Sequence, residues 1–183
     1  LLATRRLLEL AAGCGAAFHH VSTSSVVPPP SDGDEPDGRV PEDFVADVDA
    51  LEANGYILTK WAAEADVRRA GAAGLVTRIY RPSRIIAHSE TGRLPAGDAF
   101  ARALEAVVRV GAVPAEGVER GDLLHSDLVC VDAVAEVIAA EGGRAASADG
   151  DPHATFHLTA ARPVSVTTVL NAAREAGVDL EPV

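Results

Sequence analysis

Tyr56 and Lys60 stand four residues apart in Gly55-Tyr56-Ile57-Leu58-Thr59-Lys60-Trp61-Ala62-Ala63-Glu64. The stretch reads as a helix, and positions four apart share a helix face. The spacing therefore sets a phenol beside an ammonium. A cation next to a phenol favours the phenolate, which makes the hydroxyl a usable acid or base near neutrality. Upstream, Phe18-His19-His20-Val21-Ser22-Thr23-Ser24-Ser25-Val26 reads as a buried strand running into a hydroxyl-rich end. A hydroxyl, a phenol and an ammonium are the set that hydride transfer at a carbonyl needs. Each residue also has a plainer account: Thr23 capping a strand end, Tyr56 half-buried, Lys60 solvated. Their order along the chain argues for chemistry, and that order depends on the elements that position them.

Leu1 to Ala12 shows helical spacing of apolar residues, stopped by Gly13 and Gly15, and Ala17 to Ser22 reads as a strand. Pro28 to Pro41 is rich in Pro, Asp and Gly and is predicted as a polar loop, a candidate substrate-side flap. Helical pattern resumes near Val48 and runs to about Ala70, ended by Gly71 and Gly74, with Trp61 as a packing residue. Leu75 to Tyr80 reads as a buried strand closed by Arg81-Pro82. A helix over Ala99–Val110 follows Asp98, with Gly111 after it. Leu123 to Val131 is extended, and Asp132 is predicted to cap a helix over Ala133–Ala140. Gly142 to Asp151 is a polar loop, Thr155 to Thr159 a short strand, and Ser165 caps a last helix through about Ala176.

This order of strand, Ser/Thr cluster, polar loop, Tyr-x-x-x-Lys and a second strand ending in Arg-Pro resembles the extended short-chain dehydrogenase/reductase family. Within it, Lys60-Trp61-Ala62-Ala63-Glu64, the Ser89-Glu90-Thr91-Gly92 segment, Asp98, a helix carrying Arg102, the Gly111-Ala112-Val113-Pro114 exit and the Phe156-His157-Leu158 strand are similar to terminal thioester reductase domains. Such domains close non-ribosomal peptide and polyketide synthases and are related to those of carboxylic acid reductases. The resemblance implies an α/β fold, with a Rossmann-like parallel sheet flanked by helices. It covers the second half of a nucleotide-binding domain plus part of a smaller substrate subdomain.

Residues 1–183 then read as a partial NAD(P)-binding reductase domain, its C-terminal end truncated, and no Gly-rich turn opens a helix anywhere in the sequence. The absence of methionine, even at position 1, fits a piece of a longer polypeptide. Carried over residue by residue, the resemblance makes Tyr56 the proton donor, Lys60 its electrostatic partner and a ribose ligand, and Thr23 the hydroxyl that holds the substrate oxygen. Pro82, Ser83 and Ile85 follow the strand where the family backbone passes the nicotinamide, so with Tyr56 and Lys60 they are the cofactor-binding set. Ser83 and Ala87 stand where the family has glycine, so a β-carbon narrows the pocket there. The implied reaction is NADPH-dependent reduction of an acyl thioester to an aldehyde, or on to an alcohol. The substrate hangs on the phosphopantetheine arm of an acyl or peptidyl carrier protein, and reduction releases the product from a modular synthase.

Sixteen basic against 27 acidic residues give a net charge of -11, which disfavours nucleic acid or an anionic membrane as partner. No apolar run reaches membrane-spanning length, and Cys14 and Cys130 lack any metal or redox spacing, consistent with a reducing cytoplasm. The six histidines show no metal-ligand pattern, and no metal is expected. Two further readings stand beside the first. One is another extended reductase or epimerase acting on a nucleotide sugar, which tight binding of such a sugar would reveal. The other is a non-catalytic fragment that binds NADPH poorly and turns nothing over in isolation, which the absent Gly-rich turn favours.

Overall fold

Side-chain caps and left-handed glycines set several of the helix ends of this chain. The computed structural model describes residues 1–28, 40–95, 97–113, 125–145 and 151–182. In chain order the elements are α1 (Leu2–Cys14), β1 (Phe18–Val21), α2 (Gly55–Ala72), β2 (Thr77–Pro82), β3 (Arg84–Ile86), α3 (Ala99–Val110), β4 (Ala112–Val113) and β5 (His125–Ser126). Then come β6 (Leu128–Cys130), α4 (Val131–Ala145), β7 (His153–Leu158), β8 (Val164–Ser165), α5 (Val166–Glu175) and β9 (Glu181–Pro182). Turns of 3-10 helix occupy Ser24–Val26 and Val48–Ala50.

Several boundaries differ from the sequence expectation for local reasons. Gly13 does not stop α1; Gly15 does, with φ 66° and its N–H turned back to Ala11 and Ala12 carbonyls. The helical pattern from Val48 is broken into two pieces. Asp47 caps the 3-10 turn, and Asn54 starts a new helix by accepting the Tyr56 N–H at 2.9 Å. Tyr56 therefore lies in the first turn of α2, not within the body of a longer helix. Gly71 stays helical, and its lack of a side chain answers to a close approach: a β-carbon there would lie 2.9 Å from Thr77 Oγ1. Asp132 does not cap α4 as predicted; it sits in the first turn, and its carboxylate is taken by Ser89. Gly142 and Gly143 continue α4 rather than open a loop, and residues 146–150 of that predicted loop lie outside the described residues. So do residues 29–39 of the predicted flap and residues 123 and 124 of the predicted extended segment.

The chain divides into two units, Leu1–Ser83 with Val134–Leu158, and Arg84–Ala133 with Thr159–Val183. The first is built on a three-stranded sheet in the order β1-β2-β7, both pairs parallel. Val21 stands opposite Tyr80, Arg81 opposite His157 and Pro82 opposite Leu158. One face of this sheet buries Ile79 with Leu8 of α1 and Val67 of α2, joined by Phe18, Ala70 and Leu75. Truncating Ile79 to Ala there would cost about 2–5 kcal/mol. On the other face Tyr80 lies between His19 and Phe156, with ring centroids 5.9 and 5.5 Å away. Burial there pushes the Tyr80 phenol up to about 12, and its hydroxyl meets His19 Nδ1 at 2.8 Å. Arg78 on that same face pairs with Glu141 of α4 at 3.3 Å.

In the second unit β3 pairs with β6 and β4 with β9, both parallel, and β5 pairs with β8 antiparallel. Helix α3 matches its predicted span: Asp98 accepts the Phe100 and Ala101 N–H groups, and Gly111 closes it at φ 66°. Ser165 caps α5 as expected, accepting from Thr168 N. Leu170 and Leu180 pack with Val107, and an apolar cavity of about 410 Å³ lies against Phe100, Leu104, Leu128 and Leu170.

Candidate active site

Strand β1 ends at Val21, and the two residues after it, Ser22 and Thr23, are buried. Thr23 is extended and caps the 3-10 turn: its Oγ1 accepts the Ser25 N–H at 3.3 Å and donates to Ser25 Oγ at 3.3 Å. That turn packs against α2. The carboxyl ends of parallel strands are where ligands of open α/β sheets are held, and Thr23 stands at such an end.

Helix α2 brings up the other two predicted groups. Lys60 Nζ lies 5.9 Å from the Tyr56 ring centroid and donates to the Val21 carbonyl at 2.9 Å. This bond joins the lysine to the strand end that carries Thr23. The ammonium keeps two further N–H donors, so a second ligand can share it. Tyr56 is 56% exposed, reachable by a substrate. Thr59 Oγ1 returns to the Gly55 and Tyr56 carbonyls at 2.8 and 2.9 Å, which tightens the first turn.

Pro82 ends β2 and is buried; Ser83 donates its N–H to the Leu158 carbonyl at 3.0 Å. The Ser83 hydroxyl is buried with no hydrogen-bond partner among the described residues. Ile85 belongs to the second unit, in β3, paired in register with Val129. Tyr56, Lys60, Pro82 and Ser83 thus share the first unit. A nicotinamide riboside fits this set: a partly satisfied ammonium, an exposed phenol and an unpartnered hydroxyl at the end of a parallel strand.

Sequence reasoning passed over what lies one helix turn further. Glu64 shares the Tyr56 and Lys60 face of α2, is 3% exposed, and takes Arg81 in a two-pronged pair, Nε to Oε1 at 3.0 Å and Nη2 to Oε2 at 2.7 Å. Burial alone would push the Glu64 carboxyl up, but the Arg81 guanidinium, with the Arg68 charge, holds it below the usual range. His20 stands near Lys60 and Glu64: burial and the lysine charge lower its imidazole, and Glu64 opposes them. The signal was present as the i, i+4, i+8 spacing of Tyr56, Lys60 and Glu64. In the second unit, the Ser89 N–H and Oγ both donate to Asp132, at 2.9 and 2.6 Å, which ties the predicted Ser-x-Thr-Gly segment to that carboxylate.

Residues 1–138 match the family described as male sterility protein, an NAD-binding domain. Glycine betaine reductase ATRR of Emericella nidulans is 29% identical over 180 residues, 98% of this chain and 13% of that protein. The polyketide synthase-nonribosomal peptide synthetase hybrid himA of Aspergillus japonicus is 35% identical over 148 residues, 76% of this chain and 4% of that protein. Among solved structures, the terminal R domain from the myxalamid PKS-NRPS biosynthetic pathway matches 100% of this chain and 43% of its own, with 33% identity and a TM-score of 0.81. The chain thus spans a small share of these curated relatives and less than half of that solved domain. Its helix-flanked parallel sheet is of the same Rossmann-like type.

Proposed function

The chain belongs to the NAD-binding family described as male sterility protein, and from that membership we propose that it supplies the catalytic part of an NADPH-dependent thioester reductase. The substrate is an acyl group held as a thioester on the phosphopantetheine arm of a carrier protein. The tetrahedral adduct loses the phosphopantetheine thiol, which stays on the carrier protein, to leave an aldehyde, and a second hydride takes the aldehyde to an alcohol. The observation that carries this reading is the Lys60 ammonium, 5.9 Å from the Tyr56 ring centroid and hydrogen-bonded at 2.9 Å to the end of β1.

When bound, NADPH supplies the hydride; the chain supplies position and protons. Thr23 holds the carbonyl oxygen by its hydroxyl, exchanging its present bond to Ser25 for the substrate. Tyr56 gives its phenolic proton to that oxygen as negative charge develops there. Lys60 stabilises the phenolate left behind and hydrogen-bonds the nicotinamide ribose through its free donors. Pro82 and Ser83 would help hold the nicotinamide, with the Ser83 hydroxyl as a donor. Among the described residues no helix is long and apolar enough to cross a membrane, and Cys14 and Cys130 are free thiols; both fit work in the cytoplasm.

The test follows NADPH oxidation by the intact polypeptide with an acyl-pantetheine thioester. Oxidation that is lost in Tyr56→Phe supports the reading. Oxidation that persists unchanged in Tyr56→Phe removes Tyr56 as the acid.

A further inference from the structure

Arg81 ends in a guanidinium with five N–H donors, is 1% exposed, and every donor has an acceptor within reach. Nε and one Nη2 donor go to the two Glu64 oxygens at 3.0 and 2.7 Å. The second Nη2 donor goes to the Phe44 carbonyl at 3.0 Å. The Nη1 donors go to His157 Nε2 at 3.1 Å and, at the long end, to the Glu42 carbonyl at 3.5 Å. An arginine cannot accept, so His157 Nε2 is the acceptor and that ring is neutral, in line with burial and the Arg81 charge lowering its imidazole. A fork so fully used has nothing left for a substrate carboxylate or phosphate. Its cation is structural to the site and does not bind ligand.

The groups it joins are separate in sequence. Glu64 fixes the rotation of α2 about its axis, two turns from Tyr56. Phe44 and Glu42 belong to the segment that leads into that helix. The same segment is held twice more: the His157 N–H donates to Glu42 Oε1 at 2.8 Å, and Trp61 Nε1 donates to the Ala46 carbonyl at 3.0 Å. Ala46 and Leu51 then bury against Ile57, with Phe44, Leu58 and Trp61 beside them. With the carbonyls of residues 44 and 46 tied inward, the Val45 side chain stands out, 54% exposed.

We propose that Arg81 is a positioning residue that straps residues 42–46 to the carboxyl end of the sheet and to α2, so that Val45 is held out as a fixed apolar contact for the acyl group near the start of that helix. The proposal rests on the thioester reductase reading for the identity of the acyl group. It does not rest on it for the strap itself. Placement errors of about 1 Å at such a contact lower productive binding by up to ~100-fold.

Arg81→Lys keeps a cation against Glu64 but has no planar fork to reach two carbonyls as well. In the intact polypeptide it is expected to raise KM for the acyl thioester roughly tenfold, lower kcat less, and leave KM for NADPH within about twofold. In the 183-residue chain the emission of its sole tryptophan, Trp61, should move to the red and quench more readily with acrylamide as the strap releases. Glu42→Ala removes an exposed carboxylate and one strap bond; it should give a smaller change in the same direction, and it decides the question if Arg81→Lys does not fold. Unchanged thioester KM and Trp61 emission in either folded variant overturn the proposal, as does a lowered melting temperature with KM untouched. A dead Tyr56→Phe with a normal Arg81→Lys refutes the strap alone. An active Tyr56→Phe removes Tyr56 as the acid, and the Trp61 emission still decides the strap.

Discussion

Helix α2 treats its two ends in opposite ways. At its start, Tyr56 is 56% exposed and Lys60 spends one bond on a backbone carbonyl. Two turns on, Glu64 is 3% exposed and its charge is matched by a saturated Arg81 that is 1% exposed. The physical reason is solvation. A charge removed from water needs a partner in good geometry, because leaving one half behind destabilises by several kcal/mol. A group that must exchange a proton with a substrate needs the reverse: access and unspent bonding capacity. One helix face thus holds a locked pair and an open pair, and the locked one gives the open one a fixed address.

The largest effect expected from separating these roles is on rate. Tyr56→Phe removes one hydroxyl from an exposed ring, and NADPH oxidation by the intact polypeptide should fall by ~10²–10⁴, the range of a lost general acid. Its melting temperature should stay within about 1 °C, as for surface changes away from packing. Glu64→Gln should show the converse. It leaves Arg81 buried without an anion and should destabilise by about 3–5 kcal/mol in chemical denaturation. If Glu64→Gln were as stable as the parent, the two ends of the helix would not differ in kind.

The open pair was legible in the sequence and the locked pair was not. Tyr-x-x-x-Lys is a local spacing, and so are Asp98 and Gly111 around α3; such signals need nothing beyond the helix itself. Arg81 meets Glu64 across 17 residues, and meets His157 across 76. Only the strand order β1-β2-β7 puts Arg81 opposite His157. The same limit bears on Gly71, whose local cost of about 1 kcal/mol in a helix points to a stop. Gly71 is where α2 approaches Thr77 and His153 too closely for a β-carbon. Asp132 has the residue type of a cap, but Ser89, 43 residues upstream, claims both its oxygens.

Acid should act on three partly buried imidazoles, of which His157 touches the locked end. His19, His20 and His157 are all held below the ordinary imidazole range, in each case first by burial and then by a cation, respectively Arg78, Lys60 and Arg81. The unfolded chain takes up these protons below about pH 6.5 while the folded chain resists, so stability is full above that value and is lost as pH falls through the lowered folded values. Each ring keeps some contact with water, so each contributes well under ~1.4 kcal/mol per pH unit. The melting temperature should drop by a few degrees between about pH 7.5 and 5.5, and His157→Gln should remove part of that drop. A flat profile would mean that the neutral His157 is not what Arg81 depends on.

The smallest effect tests the open end from its backbone side. Asn54 accepts the Tyr56 N–H at 2.9 Å, and this cap is what begins the helix one residue before the phenol. Asn54→Ala should lower stability by about 1 kcal/mol. The loss should not spread evenly, because Glu64 and Arg81 hold the helix two turns away regardless of how it starts. Amide exchange should therefore quicken through the first turn, around residues 56–59, while the amides near Glu64 keep their protection. If both ends loosen together, the helix is one cooperative unit and the locked pair does not isolate its far half from its start. If only the first turn loosens and thioester reduction falls with it, the position of the Tyr56 hydroxyl is set by two restraints of unequal strength: a cap of about 1 kcal/mol at the near side and a buried ion pair at the far side.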